Sequence, residues 1–177
     1  SQAGVKFAYE QTLQQLAPVS KPDGIFVAGR VRGTYDLDAQ RKDGRDQGAA
    51  AAYYTGREDK QIGPRVEPCK TAHSHPYPIF AHSGKKNFVD FDEDLHLTDF
   101  VNAHQEGYDS VELLKRYSTV GMGPSQGKLA NMNAMRILAK LNAHTIDETG
   151  STTSRPFYQP VPLGHLAGRR FHPMRQT

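Results

Sequence analysis

The sequence predicts an α+β protein, because short apolar runs typical of strands occur between longer stretches of helical periodicity. The run "GIFVAG", residues 24–29, lies between turn-forming residues and predicts a buried strand of a parallel sheet. "NFVDFDEDL", from residue 87, predicts a second strand that ends in acidic residues. Residues 128–143 predict the clearest helix, since apolar side chains recur on one face. The tail from residue 150 is punctuated by prolines and is expected to be extended.

In the first third of the chain, periodicity and capping residues predict two helices. Residues 5–16 are expected to be helical, with apolar side chains roughly on one face. Asp36 is expected to cap a helix that runs to about Tyr54. Gly44 and Gly48 lie one turn apart in that helix, where glycine is unfavourable, and therefore indicate close backbone packing.

The rest of the chain is predicted to be a connector followed by helices. Residues 57–86 are polar, rich in Pro and His and without periodicity, and are expected to form the connector. Two short helices, split at Gly107, should follow the second strand, with Thr98 capping the first and Ser110 or Asp109 the second. The side chains expected to point inward from the last helix are Leu129, Met132, Ile137, Leu138 and Leu141.

Composition and charge exclude several classes of protein. The 177 residues carry a formal net charge of +3 with cations and anions interspersed, which argues against a nucleic-acid partner. Cys69 is the single cysteine, so an internal disulfide and a four-cysteine metal site are excluded, and a reducing, cytoplasmic location is expected. No apolar run reaches membrane-spanning length, so no membrane association is expected.

The stretch "KRYSTVGMGPSQGK", residues 115–128, has the composition of an anion site. Two cations end one predicted helix, glycines allow close backbone approach, and a second helix is expected to open at Gln-Gly-Lys, where free amides attract phosphate. A nucleotide P-loop is excluded, because the glycine spacing is one residue too long and Leu129 replaces the magnesium-binding hydroxyl. A plain joint between two helices, with the cations capping carbonyls, explains the same residues.

Four segments carry a resemblance to a known family. "SVELLKRYSTVGMGPSQGK" resembles the small helical module of the alpha subunits of heterotetrameric sarcosine oxidases and of related amine and proline dehydrogenases and hydrogen cyanide synthases. "KNFVDFDEDLHLTDFVNAHQEGYDSVE" is similar to the lead-in of the sarcosine oxidase branch. "PDGIFVAGRVRGTYDLDAQRKDGRDQGAAAA" looks like the end of a dinucleotide-binding domain, and "TTSRPFYQPVPLGHLAGRRFHPMRQT" like the entry to a folate-binding, aminomethyltransferase-like domain.

The resemblance implies a domain organisation. Residues 1–56 would be the C-terminal end of the α/β dinucleotide-binding domain, and residues 57–86 would be a connector. Residues 87–150 would form the helical module, and residues 151–177 would be the entry to the folate-binding, aminomethyltransferase-like domain. The chain would thus be a fragment, or a separately encoded middle portion, of an alpha subunit. The module would be related to two-iron ferredoxin-like helical domains. The positions that match the cluster cysteines are Asp90, Asp92, Ser125 and about Ala130, so no iron–sulphur cluster is expected.

The resemblance also implies cofactor-binding residues. FMN would lie between alpha and beta subunits, with Val120 at a position where a threonine is usual, so that a side-chain hydroxyl contact is lost there. Gly29 and Arg30 are candidates for lining a dinucleotide, although a sheet-to-helix turn explains them equally well. The residues assigned to FMN are Lys115, Arg116, Ser118, Thr119, Val120, Gln126, Gly127 and Lys128.

The function implied is oxidative demethylation of sarcosine by a hetero-oligomeric complex. Electrons would pass from FAD in the beta subunit through FMN to oxygen, with one-carbon transfer to tetrahydrofolate and with NAD bound elsewhere in the complex. This chain would supply position and positive potential and would not be catalytic alone. The alternatives are a cofactor-free structural connector and a subunit of a dehydrogenase for another N-methyl amino acid or an imino acid.

Two further clusters have simpler interpretations. Cys69, His73, His75 and His82 have residue types that bind zinc, but their proline-rich surroundings favour solvated histidines in a surface loop. The carboxylates of "DFDEDLHLTD" lack the glycine and spacing of a calcium-binding loop and are expected to complement a helix N-terminus. No metal site is therefore predicted.

Overall fold

The computed structural model describes residues 3–57, 75–84, 86–153 and 161. Its first part contains β1 (Lys6–Glu10), β2 (Gln15–Ser20), a 3₁₀ turn (Gly29–Arg32) and α1 (Leu37–Tyr54). Its second part contains β3 (Phe88–Asp90), β4 (Leu95–His96), α2 (Leu97–Gln105), α3 (Val111–Ser118), α4 (Asn131–Leu141) and α5 (Ile146–Thr149). This mixture of helices and strands confirms the predicted α+β class. Most of the predicted connector and almost all of the predicted tail lie outside the described residues.

The N-terminal segment is an antiparallel hairpin, so the helix predicted over residues 5–16 is wrong. β1 pairs with β2, and Tyr9 lies opposite Leu16. The reason is tertiary contact, which overrides local periodicity: the Tyr9 N–H donates to Asp147 Oδ1 at 2.8 Å, and Arg136 Nη2 donates to the Gln14 carbonyl at 3.0 Å. Both partners are distant in sequence, and a short window of sequence carries no sign of them.

Residues 24–29 form no strand, so the predicted parallel strand is wrong within the described part of the chain. The segment is irregular and half-buried, and it leads into the 3₁₀ turn. Gly24 and Gly29 have positive φ values of 79° and 75°, which are incompatible with an extended strand. Phe26 packs edge-on against Tyr54 with ring centroids 5.9 Å apart, and Lys21 lies 5.1 Å above the Phe26 ring. Its apolar side chains are thus covered by neighbours other than a strand.

Helix α1 is confirmed at both ends. The Asp36 carboxylate accepts the Ala39 N–H at 2.9 Å, and the helix ends at Tyr54. The close packing expected at Gly44 and Gly48 is not found, because a Cβ at either position would meet nothing within 4 Å among the described residues.

A buried ion pair fixes the first turns of α1 to the 3₁₀ turn. Arg32 Nη1 lies 2.5 Å from Asp43 Oδ1, and their side chains are 6% and 1% exposed. Asp43 Oδ2 also accepts the Gly29 N–H at 2.7 Å, so that both carboxylate oxygens are bonded. Such a pair adds little to the free energy of unfolding when compared with apolar residues in its place. Removing one partner is nevertheless strongly destabilising, because an unpaired charge stays buried.

The core lies in the second part of the chain, between α2, α3 and α4. Phe100 and Ala103 of α2 are fully buried and meet Leu114 of α3. The buried members contributed by the loop before α4 and by α4 itself are Val120, Ala130, Ala134, Ile137 and Leu138. The predicted split at Gly107 is confirmed, and Ser110 caps α3 by accepting the Leu113 N–H at 3.3 Å. His96 rather than Thr98 precedes α2, where Asp99 accepts the His96 N–H at 2.7 Å.

Helix α4 begins three residues later than its periodicity predicts. Gln126 and Gly127 both have positive φ, 52° and 74°, which a right-handed helix does not tolerate. Leu129 consequently lies outside the helix and is 74% exposed, so its predicted inward position is wrong. Ile137 and Leu138 are buried as predicted, whereas Met132 and Leu141 are half-buried.

We expect Asp43→Ala to destabilise the protein by about 3–5 kcal/mol, because Arg32 would stay buried without a counter-charge. Asp46→Ala on the same helix is the matched control. It breaks a more exposed pair with Lys42 and should cost less than about 1 kcal/mol. Denaturant unfolding of both variants beside the parent protein measures the difference, and equal losses would contradict the importance of the buried pair.

Candidate functional site

The candidate site is built around residues 119–130, here named the glycine loop, which joins α3 to α4. Thr119 ends α3 in the left-handed conformation, and its N–H donates to the Lys115 carbonyl at 2.9 Å. The Gln126 N–H donates to Gly123 O at 2.8 Å, and the Lys128 N–H to Ser125 O at 3.2 Å. These two amides are therefore already bonded, and the expectation that a helix opens at Gln-Gly-Lys with free amides is wrong.

Two aspartates, one at the end of β3 and one in the β3–β4 turn, anchor the glycine loop. Asp90 is 2% exposed, and its Oδ2 accepts the Gly121 N–H at 2.8 Å. Asp92 Oδ2 accepts the Ser125 N–H at 2.7 Å. Thr119 Oγ1 adds a third link by donating to Glu93 Oε2 at 2.9 Å. Charge-assisted bonds of this kind are stronger than neutral ones, so the turn fixes the path of the loop.

Glycine is required where the loop approaches the turn. A Cβ on Gly123 would overlap the Cβ of Asp92, so a larger residue would push the two segments apart. Hydrogen bonds from the side chain and the backbone of Ser125 lower the pKa of the Asp92 carboxyl. The carboxylate is thus held ionised at neutral pH where it receives the loop amide.

Three of the four positions that the resemblance equates with cluster cysteines come together in the structure. Asp90, Asp92 and Ser125 lie at the junction of the turn and the loop, while Ala130 is buried in the core. Carboxylate oxygens here accept backbone N–H groups and thereby hold the loop in shape. Within the described residues, no group of three or more His, Cys, Asp or Glu side chains is placed to hold a metal ion.

A cavity of about 840 Å³ opens beside the glycine loop. It is lined by four of the eight residues that the resemblance assigns to FMN, namely Lys115, Val120, Gly127 and Lys128. The other four do not line it. Arg116 is exposed, Ser118 Oγ donates to the Leu114 carbonyl at 2.7 Å, Thr119 bonds Glu93, and Gln126 lies in the turn before α4.

One wall of the cavity comes from the N-terminal hairpin and was missed by sequence reasoning. Phe7 and Leu16 of the hairpin and Val31 of the 3₁₀ turn face the helical part across the cavity. The periodicity of residues 5–16 favours a helix, so the sequence gives no indication of a hairpin at this wall. Three hydroxyl-bearing residues after α5 add a polar edge that no motif indicated, namely Ser151, Thr152 and Thr153.

Gly29 and Arg30, the candidates for a dinucleotide, are not brought into this cavity. The Gly29 N–H donates to Asp43, and the Arg30 carbonyl accepts Gln15 Nε2 at 2.9 Å. Their described role is to join the hairpin and α1, which agrees with the alternative that they form a turn.

The histidine-rich segment is described only in part. Cys69 and His73 lie outside the described residues. His75 Nδ1 accepts the Tyr77 N–H at 3.0 Å, and His82 Nδ1 accepts the Gly84 N–H at 3.0 Å. Among the described helices, none is long and apolar enough to cross a membrane.

We expect Asp92→Asn to lower the melting temperature at neutral pH, because the amide is a weaker acceptor for the Ser125 N–H. The folded-state pKa of Asp92 is lowered, so its stabilisation is fully present above about pH 4 and is lost as the pH falls through that lowered value. The parent and the variant should therefore converge in acid. Melting curves between pH 2 and pH 7 measure this, with Asp94→Asn in the same turn as the control; a difference in melting temperature that does not shrink as the pH falls would contradict it.

Comparisons with known proteins agree with the resemblance. Residues 84–169 match a family model described as the sarcosine oxidase A3 domain. The sarcosine oxidase subunit alpha of Rhizobium meliloti (strain 1021) is 41% identical over 172 residues, covering 92% of this chain and 17% of that protein. The sarcosine oxidase subunit alpha of Corynebacterium sp. (strain P-1) is 29% identical over 177 residues, covering 96% of this chain and 18% of that protein.

A solved structure shares the fold. The L-proline dehydrogenase from P. horikoshii superposes with a TM-score of 0.68 at 20% identity, covering 94% of this chain and 36% of that chain. The present chain spans less than a fifth of the length of the two curated relatives. Residues 84–169 thus match the sarcosine oxidase A3 domain family, and over most of its length the chain is similar to a segment of sarcosine oxidase alpha subunits.

Proposed function

We propose that this chain is part of the alpha subunit of a sarcosine-oxidase-like complex and helps to bind FMN at the contact with an FAD-bearing beta subunit. The observation that carries the proposal is that Lys115, Val120, Gly127 and Lys128, which the family resemblance assigns to FMN, line one cavity. The homology to sarcosine oxidase alpha subunits supports the wider assignment to an oxidoreductase complex.

The residues around the cavity fit an amphipathic aromatic ligand with an anionic group. A cavity of about 840 Å³ is within the range of small-molecule sites. Lys115 and Lys128 contribute positive charge, which suits a phosphate group. Phe7, Leu16 and Val31 offer an apolar wall for a flat ring system.

This chain's own residues would bind and orient the cofactor rather than perform the chemistry. When bound, FMN supplies the redox chemistry that carries electrons from the FAD of the beta subunit towards oxygen. The lysines favour the negative charge of the phosphate, and the apolar wall keeps water away. The two ends of the chain are proposed to continue from an NAD-binding domain and into a tetrahydrofolate-binding domain.

One observation favours the rival function of a cofactor-free connector. Arg116 is exposed outside the cavity, and Leu113 and Tyr117 on the same helix are 43% and 46% exposed. A partner subunit that docks on this face would use the basic residue without any cofactor. A colourless complex that dissociates more readily when Arg116 is replaced would support this function.

We expect Lys115→Ala combined with Lys128→Ala to weaken FMN binding about 10- to 100-fold, because two charge-assisted contacts are lost. FAD content should be unchanged. The measurement is the FMN to FAD ratio extracted from the purified complex after dialysis.

Two further variants sharpen this experiment. Lys140→Ala removes an equal charge from α4, where the ammonium lies 4.3 Å above the Tyr77 ring, and should keep the parent ratio. Arg116→Ala should lose less FMN than Lys115→Ala, because its side chain does not line the cavity. A parent-like FMN content in the double variant would contradict the proposed function.

A further inference from the structure

Asn131, the first residue of α4, lies where the glycine loop meets the cavity. Its carboxamide occupies the space that two glycines leave open: a Cβ on Gly121 would overlap the carboxamide oxygen, and a Cβ on Gly127 would overlap its nitrogen. Both glycines have positive φ, 73° and 74°. The Asn131 N–H donates to the Gly127 carbonyl at 3.0 Å, which fixes the backbone beneath the side chain. The loop is thus shaped around this one polar group.

The carboxamide of Asn131 has no hydrogen-bond partner among the described residues, although the residue is half-buried and lines the cavity. Gly121 and Gly127, which lie against it, have no side chains that could compete for its donor and acceptor. Half-buried polar groups of this kind are satisfied by water or by a ligand. The open side of the carboxamide is the cavity.

The neighbours of Asn131 on α4 form an apolar wall. Ala134, Met135 and Leu138 follow at three, four and seven residues and line the same cavity, as residues on one face of a helix do. Asn131 is the polar member of this stripe and lies at its end beside Lys128. A ligand that lies along the stripe therefore meets apolar contacts along its body and one carboxamide at its end.

We propose that Asn131 is an FMN-binding residue whose carboxamide hydrogen-bonds the polar imide edge of the isoalloxazine ring; this inference rests on the proposed function. A carboxamide both donates and accepts, and the imide edge of a flavin has N–H and carbonyl groups that match it. Phosphate oxygens require donors, which the two cavity lysines supply. The carboxamide therefore contacts the ring and the lysines suit the phosphate.

The test uses the assembled complex with Asn131→Ala, Asn131→Asp and the control Asn133→Ala. Asn133 lies in the same turn of α4, accepts a bond from Arg136 at 3.3 Å and does not line the cavity. We expect Asn131→Ala to weaken FMN binding about three- to tenfold and to change the visible spectrum of the bound flavin. Asn131→Asp should also lower the FMN midpoint potential below that of Asn131→Ala, because a carboxylate beside the ring opposes reduction.

The readouts separate this inference from the proposed function. Melting of the FMN-depleted complex shows whether the variants fold, and the spectrum and potential respond only to contact with the ring. If Asn131 variants keep the parent spectrum and potential while the lysine double variant loses FMN, the inference is overturned and the proposed function stands. If the parent complex holds no FMN, both are overturned. Loss of affinity in Asn131→Asp with an unchanged potential would place the carboxamide at the phosphate and overturn the ring contact.

Discussion

The hydrogen bonds from the glycine loop to Asp90 and Asp92 are the constraint on which the candidate site depends. A glycine-rich loop has high conformational entropy in the unfolded chain, so holding it in one shape requires strong, directed contacts. Asp90 holds the loop at Gly121, and Asp92 holds it at Ser125. These two bonds restrain the loop beside the cavity, and Val120 and Gly127 on either side of them are parts of its wall.

The same constraint explains why the sequence predicts the position of the site but not its detailed backbone conformation. The cations, the glycines and the acidic turn could be recognised because each lies within a short window, and the structure brings their segments together. The start of α4 could not be predicted from the sequence. Leu129 fits the helical period, but two consecutive left-handed residues, Gln126 and Gly127, prevent a helix from beginning there. Their conformation accompanies the packing of Asn131 against Gly121 and Gly127, which a short window of sequence does not show.

In the N-terminal part, one element could be predicted from local signals and two segments could not. Helix α1 was predictable because its Asp36 cap and its composition are local signals. The hairpin was not, because the contacts that favour it are to residues more than 120 positions away, at Arg136 and Asp147. The segment 24–29 was misjudged for a related reason: an apolar run indicates burial, and here Tyr54 and Lys21 provide the cover that a neighbouring strand was expected to give.

The wall of the cavity formed by the hairpin depends on the helical part of the chain. Arg136 is 7% exposed, and its guanidinium donates to the Gln14 carbonyl at the tip of the hairpin. At the same tip, Leu13 is buried and packs on Gly33, where a Cβ would overlap its side chain. The tip of the hairpin is therefore held both by α4 and by the segment before α1. Because α4 also presents Asn131, Ala134 and Met135 to the cavity, one helix sets the positions of both opposing walls. A change in the packing of α4 would thus affect both walls of the cavity.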